Sequence, residues 1–132
     1  MRAAWRSAWQ RYLERLPLAP LQAQMAEVVA LHPEYHALLF GSPDPQGAAP
    51  DAAAALGQAF LHLSLHLALR EQLSTDRPRG IVQLHRQLSA SCREAHDAEH
   101  RMMRVLEQTL WEAQRAGRMP DESQYLEALH RL

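Results

Sequence analysis

The run Phe60-Leu61-His62-Leu63-Ser64-Leu65-His66-Leu67-Ala68-Leu69-Arg70-Glu71-Gln72-Leu73 limits the folds open to this chain more than any other stretch. It is apolar around most of its circumference and no Gly or Pro interrupts it. It therefore predicts a helix wrapped by its neighbours, not one lying at the surface. His62 and His66 stand four residues apart and share one helical face, together with Leu69 and Leu73 at about 100° per residue. Two imidazoles inside an apolar arc each call for a hydrogen bond, a carboxylate or a metal ion, since burying a polar ring alone is costly.

The segments around this helix repeat the pattern. Trp5, Trp9, Tyr12, Leu13 and Leu16 form the stripe of an amphipathic helix that Pro17 ends. Its arginines suit a membrane-surface helix, but such a stripe more commonly docks on its own domain. Pro20 opens the next helix, where Leu21, Met25, Val28 and His32 share a face until Pro33 breaks the axis. Residues 41–50 are a flexible loop by composition. Asp51 is placed to cap a short Ala-rich helical segment, with Gly57 loosening its junction to the central helix. That helix should stop near Ser74-Thr75-Asp76, ahead of Pro78 and Gly80. Ile81, Leu84, His85 and Leu88 mark another helix, and Ser91-Cys92-Arg93-Glu94 has the form of a capping box that starts one more. Gly117 is placed to end it, and Asp121 to cap a last helix packed through Tyr125, Leu126 and Leu129. No stretch alternates with period two. The expectation is one all-α domain over residues 1–132, a compact antiparallel bundle of about five to six helices without a sheet.

Charge and composition exclude several functions. The chain carries 14 basic and 15 acidic residues for a net charge of −1, which leaves no basic excess for nucleic acid. Every basic residue is Arg, a bias read here as genomic. The single cysteine, Cys92, rules out an intrachain disulfide framework and reads as a small core residue. The N-terminus lacks the apolar core of a secretory signal, and no apolar run reaches the roughly 20 residues of a membrane span. The expected location is cytoplasmic.

Three of the histidine pairings fall at i, i+4: His32/His36, His62/His66 and His96/His100. A shuffled chain of this composition would hold roughly half such a pair. Pro33 interrupts the first pair, while the other two lie within helices. In His96-Asp97-Ala98-Glu99-His100 the carboxylate of Glu99 falls near the middle of the arc set by Met103, Leu106 and Leu110. It should therefore meet Arg, His or metal. Two His on one helix facing two His and a Glu on another is how bundles build metal sites. The expected ligands are His62, His66, His96, Glu99 and His100, with His36 and Glu107 in support or at a second metal. Imidazole suits Zn, Fe, Ni or Cu, and the carboxylate leans the set toward Fe or Zn. The plainer alternative is a hydrogen-bonded imidazole network that fixes helix register. His96-x-x-Glu99-His100 also has the inverzincin protease form, which needs a further ligand and a substrate cleft. Glu71 falls on the solvated side, His85 and His130 read as ordinary surface or boundary residues, and Trp111 with Met102 and Met103 as core.

His32-Pro33-Glu34-Tyr35-His36, Phe60-Leu61-His62 with His66, Glu71-Gln72, Asp76-Arg77-Pro78 and Gly80-Ile81 together resemble a bacterial family known as domain of unknown function 1841. His96, Ala98-Glu99-His100, Leu110-Trp111-Glu112-Ala113-Gln114 and Pro120-Asp121 extend the resemblance over nearly the whole chain. Gln58-Ala59 stands where members commonly look like Asn-Pro. The resemblance implies a small proteobacterial cytoplasmic protein and no particular activity.

Two functions of different kinds remain. One is a metal site in which the His62/His66 and His96/Glu99/His100 faces meet, with Glu99 either a ligand or a general base beside a metal-bound water. The other is a non-enzymatic interaction module that offers Trp5 and Trp9 to a protein partner or to a second copy.

Overall fold

A computed structural model describes residues 2–40 and 50–132, the side chains of residues 50 and 51 aside. The regular structure of the described residues is all helical, as the periodicity predicts. They form α1 (Arg2–Leu13), α2 (Pro20–Ala30), a 3-10 turn (Pro33–Tyr35), α3 (His36–Phe40), α4 (Pro50–Thr75), α5 (Ile81–Ser91), α6 (Ala95–Ala116) and α7 (Glu122–His130). No strand occurs among them. The chain gathers into two compact units, residues 1–67 and 68–132, and α4 is one continuous helix through both ranges. Gly57 does not break it. The loop expected over 41–50 falls almost wholly outside the described residues, as does the capping side chain of Asp51.

In the first unit α1 packs on α2. Its turn after Leu13 is closed by Arg15, which adopts φ 57° while its N–H donates to Tyr12 O and that of Leu16 to Arg11 O. This is the αL closure usually given to Gly, and a residue with a Cβ holds it at some local cost. The Arg11 guanidinium then donates to Pro17 O at 2.7 and 3.1 Å, binding the turn to the helix. The core gathers Trp5, Trp9, Met25, Val28, Val29, Leu39, Phe60 and Leu63. Trp5 is 0% exposed and Trp9 9%, so the expected docking surface does not exist: both indoles are core anchors of their own unit. Leu21, expected on the packed face of α2, is exposed because it sits in the first turn, beside Pro20.

The second unit packs α5 on α6 and α7 on both. α4 ends at Thr75, as expected. Asp76 then reaches forward, and its Oδ1 accepts from Gly80 N at 3.2 Å and Val82 N at 3.1 Å, which caps α5 from outside. The capping box at Ser91–Glu94 does not form. Ser91 is the last residue of α5 and its hydroxyl donates to Leu88 O, Cys92 is extended, and α6 starts at Ala95. Gly117 ends α6 at φ 67°, and Asp121 caps α7 by accepting from Gln124 N, both as the sequence indicates. Leu110 and Trp111 are surface residues, not core; the ring of Trp111 is 52% exposed and lies under the Arg115 guanidinium at 5.2 Å. Cys92 is half-buried and accepts from Arg101 at 3.6 Å.

By length and composition Ala52–Thr75 would be long enough to cross a membrane. A third of its most apolar window is buried in the protein, and the buried residues of the helix include Ala59, Phe60, Leu63, Leu65, His66 and Leu69.

Candidate metal centre

α4 turns His62 and His66 to one face, as the i, i+4 spacing requires, and the chain leaving α2 brings His32 against them. His32 and His66 are fully buried and His62 is half-buried. The ring centroids of His32 lie 4.7 Å from His62 and 5.1 Å from His66, and each pair meets edge to face. One ring nitrogen from each of the three lies within 4.8 Å of the others, a cluster able to hold a metal ion.

Local backbone chemistry fixes how His32 presents itself. Its Nδ1–H donates to Val28 O at 2.8 Å, four residues back. That bond assigns the proton to Nδ1 and leaves Nε2 with its lone pair toward α4. His62 Nε2 lies 3.0 Å from His32 Nε2, so His62 is the donor of that pair. A histidine whose second nitrogen is held by a carbonyl is the arrangement that orients metal-binding imidazoles. Tyr35, at the end of the 3-10 turn, stacks on His32 at 5.5 Å and 8° and meets His62 edge-on at 5.7 Å. Burial, with the neighbouring Glu34 charge second, holds its phenol above the usual tyrosine range.

His32 is not among the ligands expected on sequence. Pro33 opens the 3-10 turn that begins directly after His32. The available signal is His32 on the same face as the buried Met25 and Val28. His36 takes a different position: its Nε2–H donates to Val29 O at 2.9 Å and its ring packs on Trp9 at 4.8 Å.

The remaining expected residues lie on α6, in the second unit. His96 and His100 are half-buried and in ring contact, centroids 4.1 Å apart. Glu99 is buried, and its Oε1 lies 2.8 Å from Arg70 Nε, an ion pair with the C-terminal part of α4. Arg is thus one of the three partners the sequence required of it. Glu107 and Glu71 are exposed, and His130 is at the surface.

No curated protein and no solved structure matches the chain. The family model described as a domain of unknown function (DUF1841) matches residues 1–131, and the chain belongs to that family.

Proposed function

We propose that this protein binds a transition-metal ion, Zn or Fe, through His32, His62 and His66. The observation that carries the reading is the nitrogen pair His32 Nε2 and His62 Nε2, 3.0 Å apart, with His32 locked lone-pair-inward by Val28 O. Two nitrogens on a tetrahedral ion at bond lengths of about 2.0–2.1 Å stand roughly 3.3 Å apart. The rings need to part by a few tenths of an ångström, and His62 needs to carry its proton on Nδ1 instead. Imidazole nitrogens favour Zn or Fe over the hard, oxygen-seeking cations.

Three imidazoles leave a fourth position. His96, Glu99 and His100, named on sequence grounds, are proposed for it alongside water. Single alanine variants of the two histidines decide: loss of metal assigns the position to that side chain, and retention assigns it to water. Glu99→Gln separates three roles for the acid. A ligand loses metal, a general base keeps metal and loses any activity, and an ion-pair partner of Arg70 loses stability alone.

The same nitrogen pair also supports a second reading, a structural network in which His62 donates to His32 and no metal is involved. Metal content decides between them. Protein without a His tag, reconstituted separately with Zn and Fe, should hold close to one ion per chain and lose it in His32→Ala and His66→Ala. Less than ~0.1 ion per chain with both metals leaves only the network.

A further inference from the structure

Away from the histidines, α6 and α7 enclose an open groove of about 710 Å³, a volume in the range of small-molecule sites. One wall is the α6 face through Arg101, Arg104, Gln108 and Glu112, and the other is α7 through Gln124, Glu127 and Arg131. The α6 side from Arg101 to Ala113 runs about 18 Å at 1.5 Å per residue.

The charges on this groove are unevenly engaged. Each carboxylate has a partner: Glu112 accepts from Gln108 at 2.8 Å, Asp121 caps α7, and Glu127 pairs with Arg131 at 3.1 Å. Arg101, Arg104 and Arg118 have no ion pair among the described residues. Arg101 and Arg104 are three residues apart on one helical face, where like charges are mildly destabilising unless an anion lies between them. α7 returns along α6, because Leu132 lines a small hollow with Ser91, the residue that ends α5 just before α6 begins. Arg131 therefore falls at the Arg101/Arg104 end. That end holds three guanidiniums against the one carboxylate of Glu127. The opposite end, near the Gly117 turn, sets Glu112 and Asp121 against Arg118.

We infer that this groove binds an elongated small molecule with an oxyanion, phosphate or carboxylate, at the Arg101/Arg104 end and hydrogen-bonding groups along Gln108 and Gln124. Guanidinium forks match either oxyanion in two-point hydrogen bonds. The amides between the two ends supply both donors and acceptors for a polar body.

Inorganic pyrophosphate and citrate serve as probes of the two sources, titrated into the full chain at low ionic strength with amide NMR and calorimetry. At least one should saturate, with shifts confined to α6 and α7. The tighter probe identifies the oxyanion, and equal binding supports the shared chemistry. Arg104→Gln should weaken binding about tenfold or more, the loss expected for one charge-assisted contact. Arg86→Gln, an exposed arginine on α5 outside the groove, should leave it unchanged. The inference is overturned if neither probe saturates by about 10 mM, a concentration that weak anion sites reach. It is equally overturned if Arg86→Gln weakens binding as much as Arg104→Gln, which is the mark of diffuse positive charge.

Discussion

The two units each bury polar side chains among apolar ones, and they satisfy them by opposite means. In the first, His32 is met by the Val28 carbonyl and by His62, with the ring of His66 packed edge to face on it. In the second, Glu99 is met by the full opposite charge of Arg70 at 2.8 Å. An ion pair in a poorly solvated place is closed, since each charge is costly without its mate. A cluster of imidazoles stays open, because a ring nitrogen can exchange a hydrogen-bond donor for a metal while the ring keeps its proton on the other nitrogen. The proposed metal chemistry therefore rests on the histidines, and the ion pair of Glu99 with Arg70 is the contact that Glu99→Gln and Arg70→Ala probe.

The sharpest way to break this comparison is His32→Ala. It removes a proposed ligand whose lone pair is pre-set by the backbone, and metal affinity measured against a competing chelator should fall about 100-fold or more. Next in size is Arg70→Ala, which leaves Glu99 buried without its partner and should lower unfolding free energy by about 3 kcal/mol in denaturant titrations. Metal bound at the three histidines should be unchanged by it; equal loss of metal would erase the distinction between the units.

A smaller effect belongs to Tyr125, whose hydroxyl donates to Gln72 Oε1 at 2.8 Å. Burial, which outweighs that hydrogen bond, raises its pKa above the ordinary value of 10.0. The folded state keeps the phenol proton where the unfolded chain releases it. Its contribution is thus complete below pH about 10 and lost as pH rises beyond that. Stability should decline over that alkaline range, and Tyr125→Phe should flatten the decline. Smallest is His36→Phe, which gives up the bond to Val29 O but keeps an aromatic ring against Trp9. It should cost about 1 kcal/mol and leave metal binding intact.

Much of this arrangement is legible in residues read singly. The i, i+4 step of His62 and His66 and the inward position of Glu99 follow from helical geometry alone. Gly117 and Asp121 act as caps because only their local backbone matters. What escapes the sequence depends on which of two local options the surrounding fold selects. Ser91 has the residues of an N-cap, but its hydroxyl is taken by the last turn of α5. Asp76 caps a helix that begins beyond Pro78 and Gly80, an interval no short motif spans. Trp111 matches the composition of a core, yet α6 turns it outward and gives its face to Arg115. His32 escapes because Pro33 reads as a disruption, when the turn it opens brings Tyr35 to stack on the ring.

The central claim is that His32, His62 and His66 receive a metal, and that His36, His85 and His130 do not. Long-range ¹⁵N NMR of the histidine rings during a zinc titration tests this most directly, since it reports the proton and the ligand on each ring nitrogen separately. Before metal, His32 should carry its proton on Nδ1. As zinc is added, one nitrogen each of His32, His62 and His66 should shift together and saturate at one equivalent, with His36, His85 and His130 unmoved. Unchanged spectra at those three rings, or zinc that titrates the exposed His130 first, would contradict the assignment.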